Sequence, residues 1–235
     1  MADRRSRYLA DGLPRTGEAR SACQTAAVPP HRDVAAFDER AASYEQGGLG
    51  RLHHEIADRT AALAVSMCAA PQRVLDVGCG TGYLPRLLAR QWPQASGLAG
   101  IDPAPAMIDA AARASSDQRL RFCVGAAERL PHPDSFFDLV VSTTSFDHWS
   151  DQQAGLRECA RVLTPGGSLV LVDQFSRWLI PTLIGGRHRK ARTPKRASQL
   201  LTAAGFTLAI WHNPVRRHHQ GRNGSDLTCA ASDQP

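Results

Sequence analysis

The stretch VLDVGCGTGYL (residues 74–84) sets Gly78, Gly80 and Gly82 at alternate positions between an apolar run and a helix-like segment. Glycines spaced this way remove side chains from a strand-to-helix turn and let the backbone approach a ligand closely. Neither common phosphate cradle fits: Tyr83 stands where G-x-G-x-x-G needs its third glycine, and no Gly-Lys-Ser/Thr follows. Asp102 ends the run SGLAGID twenty residues past Gly82. From there a carboxylate in such a fold can accept both hydroxyls of a ribose. It also stands before Pro103, where it can cap a helix. The turn and the acid together point to a ribose-bearing ligand held without a phosphate cradle.

A second group of reactive side chains lies in STTSFDHWSD (residues 142–151). Histidine is a residue type suited to general-base work near neutral pH, which makes His148 a candidate base, with Asp147 able to orient it or to bind an acceptor hydroxyl. The same two residues are also placed to cap a helix beginning near Ser150-Asp151. Metal ligation is not expected, because His53-His54 and His218-His219 are adjacent doublets and helical ligand pairs need i, i+4 spacing. The six cysteines form no C-x-x-C pair, which fits a reducing, cytoplasmic setting.

These residues need a scaffold. Apolar runs read as strands at 73–78, 96–102, 120–126, 136–144, 168–173, 206–212 and 226–232. Helical spacing fills GYLPRLLARQW, PAMIDAAARAS, QAGLRECARVLTPGG (stopped by Pro165-Gly166-Gly167) and KRASQLLTAAG. Alternation of this kind predicts an α/β class: a doubly wound, mostly parallel seven-stranded Rossmann-like sheet, antiparallel at its last edge. Residues 33–70 have helical spacing on both sides of Gly47-Gly48 and read as N-terminal lid helices, leaving residues 71–235 as the main domain. Residues 1–32 read as a polar, disordered tail. Its acids Asp3, Asp11 and Glu18 argue against a transit peptide despite Arg4, Arg5 and Arg7.

The 235 residues suit one α/β domain, 43% of them are apolar, and no window is long enough for a membrane helix. The net charge of +6 admits acidic partners without selecting one. In the long connector QFSRWLIPTLIGGRHRKARTPKR, Phe175, Trp178, Leu179 and Leu183 can wall an acceptor, and Arg187, Arg189, Lys190 and Arg192 can attract an anion or form a solvated charge run.

Taken together, VLDVGCGTGYL, GIDPAPAMI, AAERLPHPDSFFDLVVS and RVLTPGGSLVLVD resemble the class I S-adenosylmethionine-dependent methyltransferases, in the branch that modifies small molecules. The resemblance spans roughly residues 34 to 210 and rests on several motifs in order. It implies S-adenosylmethionine as cofactor. Gly78, Gly80 and Gly82 would lie at its amino-acid end, with Asp76 orienting the ammonium and Asp102 taking the ribose hydroxyls. Met107, Ala127 and Glu128 would flank the adenine, and Thr143 completes the cofactor set. Related sequences often carry Asp where this chain has Ala126, a departure at the adenine anchor. Asp147 and His148 stand where many family members have two histidines after the fourth strand, which assigns them the catalytic place. Tyr44, His53 and Trp178 are the acceptor-binding candidates, with Phe37 and His54 beside them.

The activity so implied is methyl transfer to O, N or C of a small molecule, a specialised metabolite being the expected acceptor, without a metal or a membrane. A nucleic-acid methyltransferase is the first alternative. The fourth strand ends in STTS rather than Asn/Asp-Pro-Pro-aromatic, and no Pro-Cys nucleophile motif exists. A protein that binds the cofactor without transferring methyl is the second. Oligomeric state is not legible.

Overall fold

The structure, a computed structural model, describes residues 33–173, 193–212 and 227–232. The tail 1–32 and the connector bearing Phe175, Trp178, Leu179, Leu183, Arg187, Arg189, Lys190 and Arg192 lie outside the described residues, as do His218 and His219.

Five strands form the centre: β1 (Arg73–Val77), β2 (Gly97–Asp102), β3 (Leu120–Val124), β4 (Phe137–Thr143) and β5 (Leu163–Val172). They pair in parallel in the order β3-β2-β1-β4-β5. β6 (Phe206–His212) and β7 (Leu227–Ser232) continue the sheet antiparallel, β7 lying between β5 and β6. Among the described residues six α-helices accompany them: α1 (Val34–Arg40), α2 (Gly47–Met67), α3 (Tyr83–Gln91), α4 (Pro105–Arg113), α5 (Gln152–Val162) and α6 (Pro194–Ala203). Among the described residues no helix is long and apolar enough to cross a membrane.

Side chains on successive strand positions point to opposite faces, and here both faces are apolar, as a parallel sheet requires. Val74, Leu139, Val141 and Val170 pack with Ala57, Ala61 and Ala64 of α2 and Leu84 and Leu88 of α3. Leu75, Val77, Val140, Leu169 and Leu171 pack with Leu156 and Cys159 of α5 and Ala197 and Leu201 of α6. Asp76 falls in the register of Val74, so a carboxylate is buried on the α2–α3 side of the sheet.

The end of α5 differs from the helical spacing read through Pro165-Gly166-Gly167. The helix stops at Val162, whose carbonyl accepts the Phe136 N–H, and β5 begins at once with Leu163 opposite Phe137. The register then shifts, with Gly166 at φ 75°, before Ser168 pairs with Leu139. Pairing to β4 outcompetes one more helical turn, and the Pro-Gly-Gly segment becomes an irregularity inside a longer strand.

Candidate active site

The strand order reverses between β1 and β4, and the loops leaving their carboxyl ends diverge to open a cleft there, as in other open α/β sheets. About 770 Å³ of space, open solvent at the mouth included, lies within the cleft, and Val34 and Phe37 of α1 line it. Gly78, Asp102, Met107, Ala127, Glu128, Thr143, His148 and Tyr44 all line it. A smaller cleft continues past Tyr44 along the α2–α3 side, lined by Glu45, His53, His54, Asp76, Thr81 and Thr143.

Each glycine of the turn has its own reason. Gly78 has φ 80°, and a Cβ there would stand 2.3 Å from both Cβ and Oγ of Ser145. Ser145 donates from Oγ to the Val77 carbonyl (2.9 Å), lies 2.8 Å from Ser142 Oγ, and accepts from Trp149 Nε1 (3.3 Å). It stitches the end of β1 to the loop after β4. Gly80 has φ 52° and would place a Cβ in open space, with Tyr44 Cε1 the nearest atom at 3.8 Å. Gly82 lines neither cleft; its Cβ would meet Ala111 and the Phe122 ring at 2.9 Å, so this glycine serves helix–sheet packing.

Asp102 ends β2 with both oxygens engaged: Oδ2 accepts the Gly80 N–H (3.0 Å) and Oδ1 the Ala104 N–H (2.9 Å). It therefore caps the approach to α4 and braces the glycine turn while facing the cleft. Burial raises its pKa to about 6, against the lowering effect of those two N–H donors. Asp76 is buried with Oδ1 unpartnered, and desolvation, with the neighbouring Asp102 charge, lifts its carboxyl well above the usual range. Met107 is 1% exposed, packed in a cluster with Ala41 and Ala104, and it lines the cleft as well. Glu128 Oε1 accepts the Asp151 N–H (2.9 Å), which ties the turn after β3 to the start of α5.

The segment before α2 forms the wall between the clefts. The Tyr44 ring stacks on His53 (4.7 Å between centroids), and His54 stacks on Tyr83 (3.9 Å). Glu45 accepts from Thr81 Oγ1 (2.5 Å) and pairs with Arg86 (3.1 Å) and His54 (3.5 Å), clamping this segment to the glycine turn. Desolvation and the nearby Arg40 cation lower the pKa of His53, while burial and the Asp102 charge raise that of Tyr44.

His148 and Asp147 part company. His148, on a short 3-10 turn Phe146–His148, lines the larger cleft, and its Nδ1 lies 3.0 Å from Asp33 Oδ2. Asp147 lines neither cleft, and its backbone N–H donates to Asp173. Neither caps α5: Asp151 does, accepting from the N–H groups of Gln153 and Ala154.

Residues 75–171 match the methyltransferase domain family. Over that stretch the chain is similar to class I S-adenosylmethionine-dependent methyltransferases. It is 43% identical over 117 residues to a demethylmenaquinone methyltransferase of Deinococcus radiodurans, covering 49% of this chain and 48% of that one. It is 31% identical over 168 residues to a malonyl-[acyl-carrier protein] O-methyltransferase of Hahella chejuensis, covering 69% and 58%. The chain spans about half the length of the curated relatives it matches. The solved YcgJ protein of Bacillus subtilis shares the fold, with TM-score 0.60, 21% identity and coverage of 78% of this chain and 100% of that one.

The methyltransferase domain implies S-adenosylmethionine as its cofactor, and the clefts fit that molecule. An unpartnered buried carboxylate suits the ammonium, an open glycine backbone suits the amino-acid moiety, and an acid at a strand tip suits a ribose. Four site residues escaped the sequence reading: Ser145, Glu45, its partner Arg86, and Asp33. Each acts through a contact across at least 36 positions of chain, which no local pattern carries.

Proposed function

We propose that this chain transfers the methyl group of S-adenosylmethionine to O, N or C of a small acceptor. The observation that carries the reading is Asp76 Oδ1, buried and unpartnered in the cleft wall beside Gly78 and Gly80. Asp76 would hold the cofactor ammonium, Asp102 the ribose hydroxyls, and Met107 with Ala127 the two faces of the adenine. Glu128 stands in for the missing Asp at position 126. Thr143, whose Oγ1 is buried and unpartnered, lines both clefts between these ends. Residues 33–70 serve as a lid on the domain 71–235, and β6 with β7 complete its seven-stranded sheet.

The cofactor, when bound, supplies a methyl group already activated on a sulfonium. The protein's task is to align an acceptor, exclude water and take a proton where the acceptor is an alcohol or amine. His148 is the base in this reading, and Tyr44 and His53 form the acceptor wall. The apolar and aromatic lining of the larger cleft, with Val34, Phe37, Val77 and Trp149, favours a small organic acceptor over a nucleic acid. Specialised metabolites and the quinone and acyl types named in the relatives form the first library to screen. Turnover of S-adenosylmethionine to S-adenosylhomocysteine with one of them supports the proposal, and saturable binding of neither molecule sinks it.

Asp102→Ala is expected to weaken S-adenosylhomocysteine binding about 10- to 150-fold in calorimetry, the equivalent of one charge-assisted hydrogen bond. Unchanged affinity removes Asp102 from the ribose role. Binding should also expel protons at any pH where the raised Asp76 carboxyl is still protonated in the free protein. An ammonium docking on Asp76 lowers a pKa that burial has raised, so the carboxyl ionises on binding. Calorimetry in two buffers of different ionisation enthalpy measures the release, and Asp76→Asn should abolish most of it.

A further inference from the structure

The carboxylate beside His148 comes from the lid. Asp33 directly precedes α1, and its Oδ2 sits 3.0 Å from His148 Nδ1. The Phe37 ring of α1 packs edge-on against the imidazole at 4.9 Å, so both contacts to the ring come from one lid element. Asp33, Phe37 and His148 line the larger cleft together with Asp102 and Thr143.

We infer that Asp33 is a positioning residue for His148: the lid carries half of an Asp–His dyad, and its closure arms the base. The inference rests on the methyl-transfer reading and deepens it. An ionised carboxylate only accepts, so the Asp33 contact keeps the hydrogen on Nδ1 and leaves the lone pair on Nε2. An acceptor O–H then breaks with its proton passing to Nε2, and the oxygen keeps the electron pair for the incoming methyl. Asp33 balances the imidazolium so formed, and the proton leaves to solvent afterwards.

The other ionisable groups around the ring are held by other contacts, although the Asp102 carboxylate also senses the His148 charge. Asp102, at the tip of β2, is held by the Gly80 and Ala104 N–H groups, and Glu128, after β3, by the Asp151 N–H. Tyr44 stacks on His53, and Asp147, on the ring's own turn, lines neither cleft. When the lid lifts, Asp33 leaves with α1 and its contact with His148 Nδ1 is broken. The base is then set only in a closed, water-poor site.

The test is the tautomer of His148, which needs no acceptor. In full-length protein labelled with 15N-histidine, long-range proton–nitrogen spectra distinguish Nδ1–H from Nε2–H rings, and His148→Gln identifies the signal among the nine histidines. The wild-type ring is expected to be mainly Nδ1–H. Asp33→Ala should move the tautomer ratio toward Nε2–H by about tenfold, the equivalent of one charge-assisted hydrogen bond, and Asp33→Glu should restore it. The buried His132 signal reports that the fold is intact. A wild-type Nε2–H ring, or a ratio unmoved by Asp33→Ala, overturns the inference. Calorimetric binding of S-adenosylhomocysteine to the same samples tests the methyltransferase reading separately.

Discussion

Gly78→Ala is expected to cost roughly 2 to 6 kcal/mol of stability and to abolish cofactor binding with it. Two effects add. The added methyl would lie 2.3 Å from Ser145 Cβ and Oγ, and relief by overpacking costs about 1 to 3 kcal/mol. The backbone sits at φ 80°, where a residue with a Cβ loses a further ~1 to 3 kcal/mol. Ser145 has little freedom to yield, since Val77, Ser142 and Trp149 all bond its hydroxyl. Gly80→Ala makes the contrast, because its Cβ meets nothing nearer than Tyr44 at 3.8 Å. That variant carries only the positive-φ cost of about 1 to 3 kcal/mol, without the clash, while crowding the ligand. Urea denaturation paired with calorimetry separates the two glycines. If Gly78→Ala unfolds at the wild-type midpoint, the Ser145 stitch does not constrain the turn.

The contrast also marks how far the sequence could be read. Strand positions were legible because each residue reports its own environment. RVLDV, SGLAGID and FFDLVVSTT are apolar on both faces of their alternation, and only a doubly covered sheet buries both. Asp102 was legible because a strand tip fixes its place relative to the glycine turn. The glycine turn itself was legible as a close approach, but not what approaches: Gly82 meets Ala111 and Phe122, Gly78 meets Ser145, and Gly80 alone faces open space. The polar contacts were the least accessible. Asp147 is His148's sequence neighbour and the natural partner to assign, yet successive residues of a tight 3-10 turn diverge, and the carboxylate that reaches the ring comes from 115 residues earlier. Capping followed the same rule: Asp151, with two N–H groups of α5 within reach, holds the place that the spacing also offered to His148.

His132 supplies a prediction from outside the site. It is buried with both ring nitrogens unpartnered, edge-on to Phe137 at 4.8 Å, and its carbonyl accepts from Arg161. Desolvation, and then the Arg161 cation, push its pKa from 6.5 down to about 3. The unfolded chain therefore binds a proton below pH 6.5 that the folded chain refuses. His132 does not alter stability above that pH, and below it removes about 1.4 kcal/mol per pH unit, roughly 5 kcal/mol by pH 3. Asp102 acts in the opposite sense: its folded pKa of about 6 lies above the unfolded value of 3.8, so protonation favours the fold across that window. The raised carboxyl of Asp76 adds to it. The wild-type acid profile is thus flatter than His132 alone would make it, and a difference measurement isolates the histidine. His132→Leu should match or exceed the wild type at pH 7.5, because two unsatisfied buried nitrogens are replaced by apolar surface. At pH 5 its advantage should widen by about 2 kcal/mol in urea denaturation. A gap that stays constant between these pH values means that His132 titrates in the folded protein as it does in the unfolded chain, and that the core around Phe137 admits water.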